Sequence, residues 1–289
     1  MSRRTGTAIA LALCLAVLGG ACSSGGDSNR GAGGGAGGSG SASGRAGPAQ
    51  ANGSPAPGPA AEGSTPGPPP VYVAVGASET TGIGAESPLR DAWPRVLFRT
   101  AMPEDTIFIN AGIPGATVAQ ALKEELPLAL EQHPTIVTVW LNVNDLIAGV
   151  SPPQFERDLG TLIRGLRRGG ATRVLVANTP PLDRLPAYLA CRPDPPASAP
   201  PCRFPDQLPD PDVVNGLVDD YNAATARVVE REGAHLVDLH AVGLAARQAG
   251  IDQALISNDG FHPNAGGYQR VATAFAEVLR RTGPLSGGG

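Results

Sequence analysis

Val71-Tyr72-Val73-Ala74-Val75-Gly76-Ala77-Ser78 decides how this 289-residue chain is read. Five apolar residues in a row, rich in β-branched Val, describe a strand buried on both faces, and Gly76 ends it. A serine then stands on the turn. Comparable runs recur at residues 106–110, 135–141, 173–178 and 235–239. Segments with helical spacing lie between or after them, at 91–101, 118–130, 153–168, 213–232 and 265–281. Strands that are apolar throughout and alternate with helices predict a parallel sheet covered on both sides, a doubly wound α/β domain in three layers. Ligands of such sheets bind beyond the carboxyl ends of the strands. Those ends are where chemistry is expected.

Each strand end carries polar residues with two readings. Ser78 follows the first strand, as a nucleophile with its own N–H beside it or as a simple helix cap. Gly76, Gly82 and Gly84 do not make the G-x-G-x-x-G spacing of a nucleotide loop, and no P-loop lysine follows. Gly112 follows the second strand, where the missing side chain lets backbone approach a ligand. Asn144 follows the third, as a donor to a developing negative oxygen or as an Asx turn. Near the C-terminus, Asp259-Gly260-Phe261-His262-Pro263-Asn264 places a carboxylate three residues before an imidazole. It reads as a surface turn or as the acid–base half of a nucleophilic triad.

Ser78, Gly112, Asn144 and the Asp259/His262 pair, in this order on these elements, resemble the SGNH (GDSL-type) hydrolase superfamily. The resemblance spans residues 71–281. It implies a flavodoxin-like five-stranded sheet in an α/β/α sandwich. It also implies a serine ester hydrolase with Ser78 as nucleophile, His262 as base and Asp259 orienting it. Ser78, Gly112 and Asn144 would form the oxyanion hole. No metal or cofactor is implied. Two residues depart from the pattern: Ala77 replaces the usual Asp before the nucleophile, and Asn142 replaces the Gly that opens the third block. Ala77 keeps open a catalytically silent binding module with the same fold. Acyl transfer would use the same residues. His240 is a rival base near Asp238, at the end of the fifth run.

The first 70 residues differ in kind. Residues 1–21 read as an export signal, with Arg3 and Arg4 before an apolar run too short to span a bilayer. Small residues then precede Cys22, resembling a lipoprotein lipobox in which that cysteine is lipidated. Leu18 stands four residues ahead of it rather than the usual three. Residues 22–70 are Gly, Ala, Ser and Pro, too poor in apolar bulk to fold. Such a coil has an end-to-end distance of roughly 35–42 Å, enough to hold a domain clear of a membrane. An exported, membrane-anchored monomer is the expectation.

Four basic residues (Arg3, Arg4, Arg30, Arg45) and two acidic ones (Asp27, Glu62) precede Val71, leaving 18 Lys+Arg against 24 Asp+Glu in the folded part. An acidic domain without a basic block is not a nucleic-acid surface. Residues 183–211 are dense in Pro and contain Cys191 and Cys202. In an exported protein two cysteines this close predict a disulfide stapling a long loop. That loop is expected to wall the cleft, with Tyr188, Leu189 and Phe204 supplying apolar contacts.

Overall fold

The computed structural model describes residues 67–202 and 208–283. The proposed signal, Cys22, nearly all of the tether and Phe204 lie outside the described residues. In chain order the elements are β1 (Val71–Gly76), α1 (Ser78–Thr81), α2 (Pro88–Asp91), α3 (Trp93–Ala101) and β2 (Ile107–Asn110). There follow α4 (Val118–Lys123), α5 (Glu125–Glu131), β3 (Ile136–Trp140), α6 (Val143–Ile147), α7 (Pro152–Arg167) and β4 (Arg173–Ala177). The chain continues through α8 (Pro186–Leu189), α9 (Pro211–Glu232), β5 (His235–Val237), α10 (Leu239–Gln248) and α11 (Ala265–Arg281).

All five strands pair in parallel, in the order β2-β1-β3-β4-β5. This is the flavodoxin-like three-layer α/β/α arrangement, whose switch point lies beside β1. Alternation along the strands builds two cores. Val73 and Val75 of β1 join Val137 and Val139 of β3 on one face, under Phe155, Leu159 and Tyr221 of α7 and α9. Tyr72 and Ala74 face the other way with Trp93 of α3 and Phe275 of α11. The rings of Trp93 and Phe275 stack at 4.3 Å. One polar pair crosses the second core without strain on its satisfaction, Tyr72 Oη and Thr138 Oγ1 at 2.9 Å.

Three elements differ from the sequence expectation. The single helix expected over 118–130 is two, broken at Glu124. Pro127 has no N–H to donate back to residue 123, and its ring crowds that carbonyl. The fifth strand stops at Val237, not 239, because Asp238 caps a helix that sequence spacing did not disclose. Its side chain accepts from Ala241 N, and α10 follows. The helix expected from residue 91 instead begins at Trp93, after the one-turn α2.

Candidate active site

The carboxyl ends of β1, β2 and β3 bring three predicted segments to one edge. Gly76 turns the chain out of β1, and only glycine fits there. A Cβ at this position would lie 2.1 Å from Thr80 Oγ1 and 2.9 Å from the Trp140 carbonyl oxygen. Glu125, fully buried, takes the Gly76 N–H at 2.7 Å and so holds this turn from below. Ala77 packs into the first core, and Ser78 opens α1.

Ser78 Oγ lies 2.9 Å from His262 Nε2, and His262 Nδ1 lies 2.6 Å from Asp259 Oδ2. With Nδ1–H given to Asp259, Nε2 is left to accept the serine hydroxyl proton. Asp259 Oδ1 collects three further donors: the Phe261 N–H at 2.8 Å, the His262 N–H at 2.9 Å and the Ser257 hydroxyl at 2.8 Å. Burial alone would push this carboxyl up; the His262 ring and these donors outweigh it and hold it well below the usual carboxylate range. The loop can turn this tightly because Gly260 adopts φ +76°, a left-handed conformation that glycine tolerates.

The other predicted residues flank this line. Gly112 and Asn144 follow β2 and β3, the two strands on either side of β1. The Asn144 Nδ2 donates one hydrogen to the Ala116 carbonyl at 3.0 Å, which fixes the amide and leaves its second hydrogen available. The Gly112 N–H is engaged by Asn110 Oδ1 at 3.0 Å. Asn110 must release it before Gly112 can donate to a ligand. Asn142, the departure in the third block, is buried and reaches toward the Ala177 carbonyl at 3.4 Å.

His240 is not part of this constellation. Its ring Nδ1 faces the Thr179 carbonyl at 3.3 Å, and its N–H donates to Asn178 Oδ1. Asp238 is occupied by Asn178 and by the cap of α10. The rival base therefore belongs to a structural network.

A cleft of about 140 Å³ opens beyond β3, β4 and β5; Phe261 and Pro263, on either side of His262, line it, but Ser78, Asp259 and His262 do not. Leu182, Leu185, Leu239, Val242 and Phe261 line it, and Glu79 stands at its inner wall. Cys191 and Cys202 are joined, with Cα atoms 4.9 Å apart, and staple the insertion. The insertion also docks on the Asp259–His262 loop, where Ala187 N donates to the Gly260 carbonyl at 3.0 Å. The expected apolar contacts are redistributed. Tyr188 faces the insertion's own small core with Val214 and Val218, and its hydroxyl donates to the Pro209 carbonyl. Leu182 and Leu185 supply the cleft wall instead.

Sequence reading missed several acidic groups. Glu79 is buried next to Ser78, and burial raises its carboxyl, with the His262 charge opposing. Burial likewise pushes Glu125 up to about 8 and Asp145 up to about 7. Asp145 accepts the Val118 N–H and so ties α4 to the third strand end. Acidic side chains beside turns are ordinary in sequence; only packing reveals that these are covered. Among the described residues no group of three His, Cys, Asp or Glu is arranged to hold a metal. No described helix is long and apolar enough to cross a membrane.

Known proteins resemble this chain. The chain is 28% identical over 119 residues to an esterase, TesA, of Pseudomonas aeruginosa, a match covering 40% of this chain and 58% of the relative. It is 29% identical over 101 residues to an arylesterase of Vibrio mimicus, covering 34% and 50%. The chain thus spans about half the length of the curated relatives it matches. The crystal structure of a lipase/acylhydrolase from Enterococcus faecalis superposes with a TM-score of 0.53 at 21% identity, covering 74% of this chain and 96% of that one. The pattern of the GDSL-like Lipase/Acylhydrolase family matches residues 74–270, most of the described chain, and the protein belongs to that family.

Proposed function

We propose that the protein is a serine ester hydrolase working through an acyl-enzyme. The observation that carries this is the unbroken line from Ser78 Oγ through the His262 ring to Asp259, at 2.9 and 2.6 Å. His262 takes the serine proton as Oγ attacks the ester carbonyl. Asp259 holds the ring in the required tautomer and stabilises its positive form. The Ser78 N–H, the free hydrogen of the Asn144 amide and, once Asn110 lets go, the Gly112 N–H receive the oxyanion. One such donor contributes about 3–4 kcal/mol to lowering the barrier. Proton return from His262 releases the alcohol, and water then resolves the acyl-enzyme by the same route. Membership of a lipase/acylhydrolase family and the esterase relatives support this reading.

Hydrolysis of p-nitrophenyl acetate and butyrate by the full chain, beside Ser78→Ala, tests it. Turnover should fall at least a thousandfold in the variant, and a fluorophosphonate probe should label only the unaltered chain. Undiminished turnover in Ser78→Ala would remove the triad assignment.

We further propose that the protein is exported and anchored through a lipid on Cys22, acting as a monomer on small or cell-surface esters. Arg3, Arg4 and the apolar run before Cys22 support this, with residues 23–70 as the tether. Replacing Cys22 with Ser should move the protein from the membrane to the soluble fraction; an unchanged partition refutes the anchor.

A further inference from the structure

The cleft of about 140 Å³ beyond β3, β4 and β5 has no part in the chemistry derived above. It is walled by α10, by α11 and by residues 180–185, which follow β4. Most of its surface is hydrocarbon, from Trp140, Val143, Leu182, Leu239, Val242 and Val271 among others. The charged side chains that reach it are Glu79, Arg184, Arg247, Asp252 and Arg270. Four of these have partners. The Ser78 hydroxyl donates to Glu79 Oε2 at 3.4 Å, and burial raises that carboxyl. Arg247 pairs with Asp183 at 2.5 Å, and Arg184 with Asp252 at 3.5 Å. Arg270, exposed on α11, makes no side-chain hydrogen bond or ion pair with another described residue.

An apolar cleft with one unengaged cation at its rim selects a ligand of two parts. At about 30 Å³ for each water-sized group, the cleft holds a chain of roughly five carbons. Each methylene taken out of water there tightens binding about fourfold. The head must match a guanidinium, and a carboxylate sets two oxygens on its fork of donors. One negative charge balances Arg270. A second would go unmatched in a domain whose acidic residues outnumber its basic ones, and an ammonium head would be repelled.

We propose that this cleft is a binding site for short-chain aliphatic carboxylates, with Arg270 holding the head and the hydrocarbon walls holding the tail. Phe261 and Pro263 flank His262 and line the cleft, so an occupant touches the loop that carries His262. The site does not depend on the hydrolase reading, because Ser78, Asp259 and His262 do not line it and its test reads binding rather than turnover.

The test titrates the full chain with hexanoate and follows the indole N–H signal of Trp140 by NMR. The chain's other tryptophan, Trp93, is fully buried against Phe275 and does not line the cleft. A saturable shift of the Trp140 signal is expected. Affinity should rise about fourfold per methylene from butanoate to hexanoate and level off in longer acids. Hexan-1-ol, with the same chain and no charge, should bind about fivefold more weakly. Arg270→Gln should weaken hexanoate about fivefold and leave hexan-1-ol unchanged. Because Arg270 engages no other described side chain, this variant should fold as the unaltered protein does. Val242→Phe, which fills the cleft, should abolish binding of both. No saturable shift, hexan-1-ol binding as tightly as hexanoate, or unchanged hexanoate affinity in Arg270→Gln overturns the inference. Hexanoate binding that survives Val242→Phe overturns it too, by placing the ligand elsewhere.

Discussion

Asp259 meets His262 twice, through Oδ2 to the ring Nδ1 at 2.6 Å and through Oδ1 to the backbone N–H at 2.9 Å. One carboxylate thus sets both the ring tautomer and the shape of the loop that carries the ring. A three-residue spacing makes this double contact available without help from another element. The adjoining insertion adds a restraint, the bond from Ala187 N to the Gly260 carbonyl.

Asp259→Asn should therefore separate the two jobs. The amide oxygen can still accept from the backbone, but its NH₂ faces Nδ1 and favours the wrong tautomer. The expected loss in kcat is about 10³–10⁴-fold with the near-ultraviolet circular dichroism retained. A loss below tenfold would show that Asp259 does not orient the base.

The same residue has a signature in stability. Its folded carboxyl lies well below the unfolded value near 3.9, so its contribution is present above that pH and lost as pH falls through the folded value. Thermal melts of Asp259→Asn should lose less stability than the unaltered protein on acidification below about pH 4. Parallel acid limbs would contradict this.

Glu125 acts in the opposite direction. Burial raises its carboxyl to about 8, so the folded state keeps the proton while the unfolded chain releases it near pH 4.3. Stability from this group is full below the unfolded value and drains away up to about pH 8, by on the order of 1.4 kcal/mol per pH unit. Glu125→Gln keeps an acceptor for the Gly76 N–H and does not ionise. Its melting temperature should fall less between pH 5 and pH 8 than that of the unaltered protein. Equal slopes would mean that Glu125 is not protonated in the folded state.

The Cys191–Cys202 bond closes a short loop in the insertion that docks on the Asp259–His262 turn. Loop-closure entropy gives such a bond about 2–3 kcal/mol. Replacing both cysteines with Ser should lower the melting temperature and speed proteolysis within residues 191–202. An unchanged proteolysis rate would show that the insertion is held by its small core alone.

Legibility in the sequence followed the range of the interactions. Apolar runs and helical spacing disclosed all five strands and the sandwich, because β1, β3 and β4 are buried on both faces and the partly exposed edge strands β2 and β5 are still written mainly in apolar residues. Ser78, Asp259 and His262 were legible because a turn residue after a strand, and an acid three residues before an imidazole, are local patterns. Helix α10 was not, since its Asp238 cap is the kind of short-range choice that an adjoining strand also permits.

What the chain determines by itself, then, is the sheet, the order of strand ends and the candidate triad, all set by neighbours along the backbone. Tertiary structure decides the rest. It covers Glu79, Glu125 and Asp145, and burial raises their carboxyls; the same letters on a surface would not be raised by burial. It also engages the Gly112 N–H with Asn110 and turns Tyr188 away from the cleft toward Val214 and Val218. Burial is a property of what comes to lie against a residue. Where that partner is a hundred positions away, no local pattern records it.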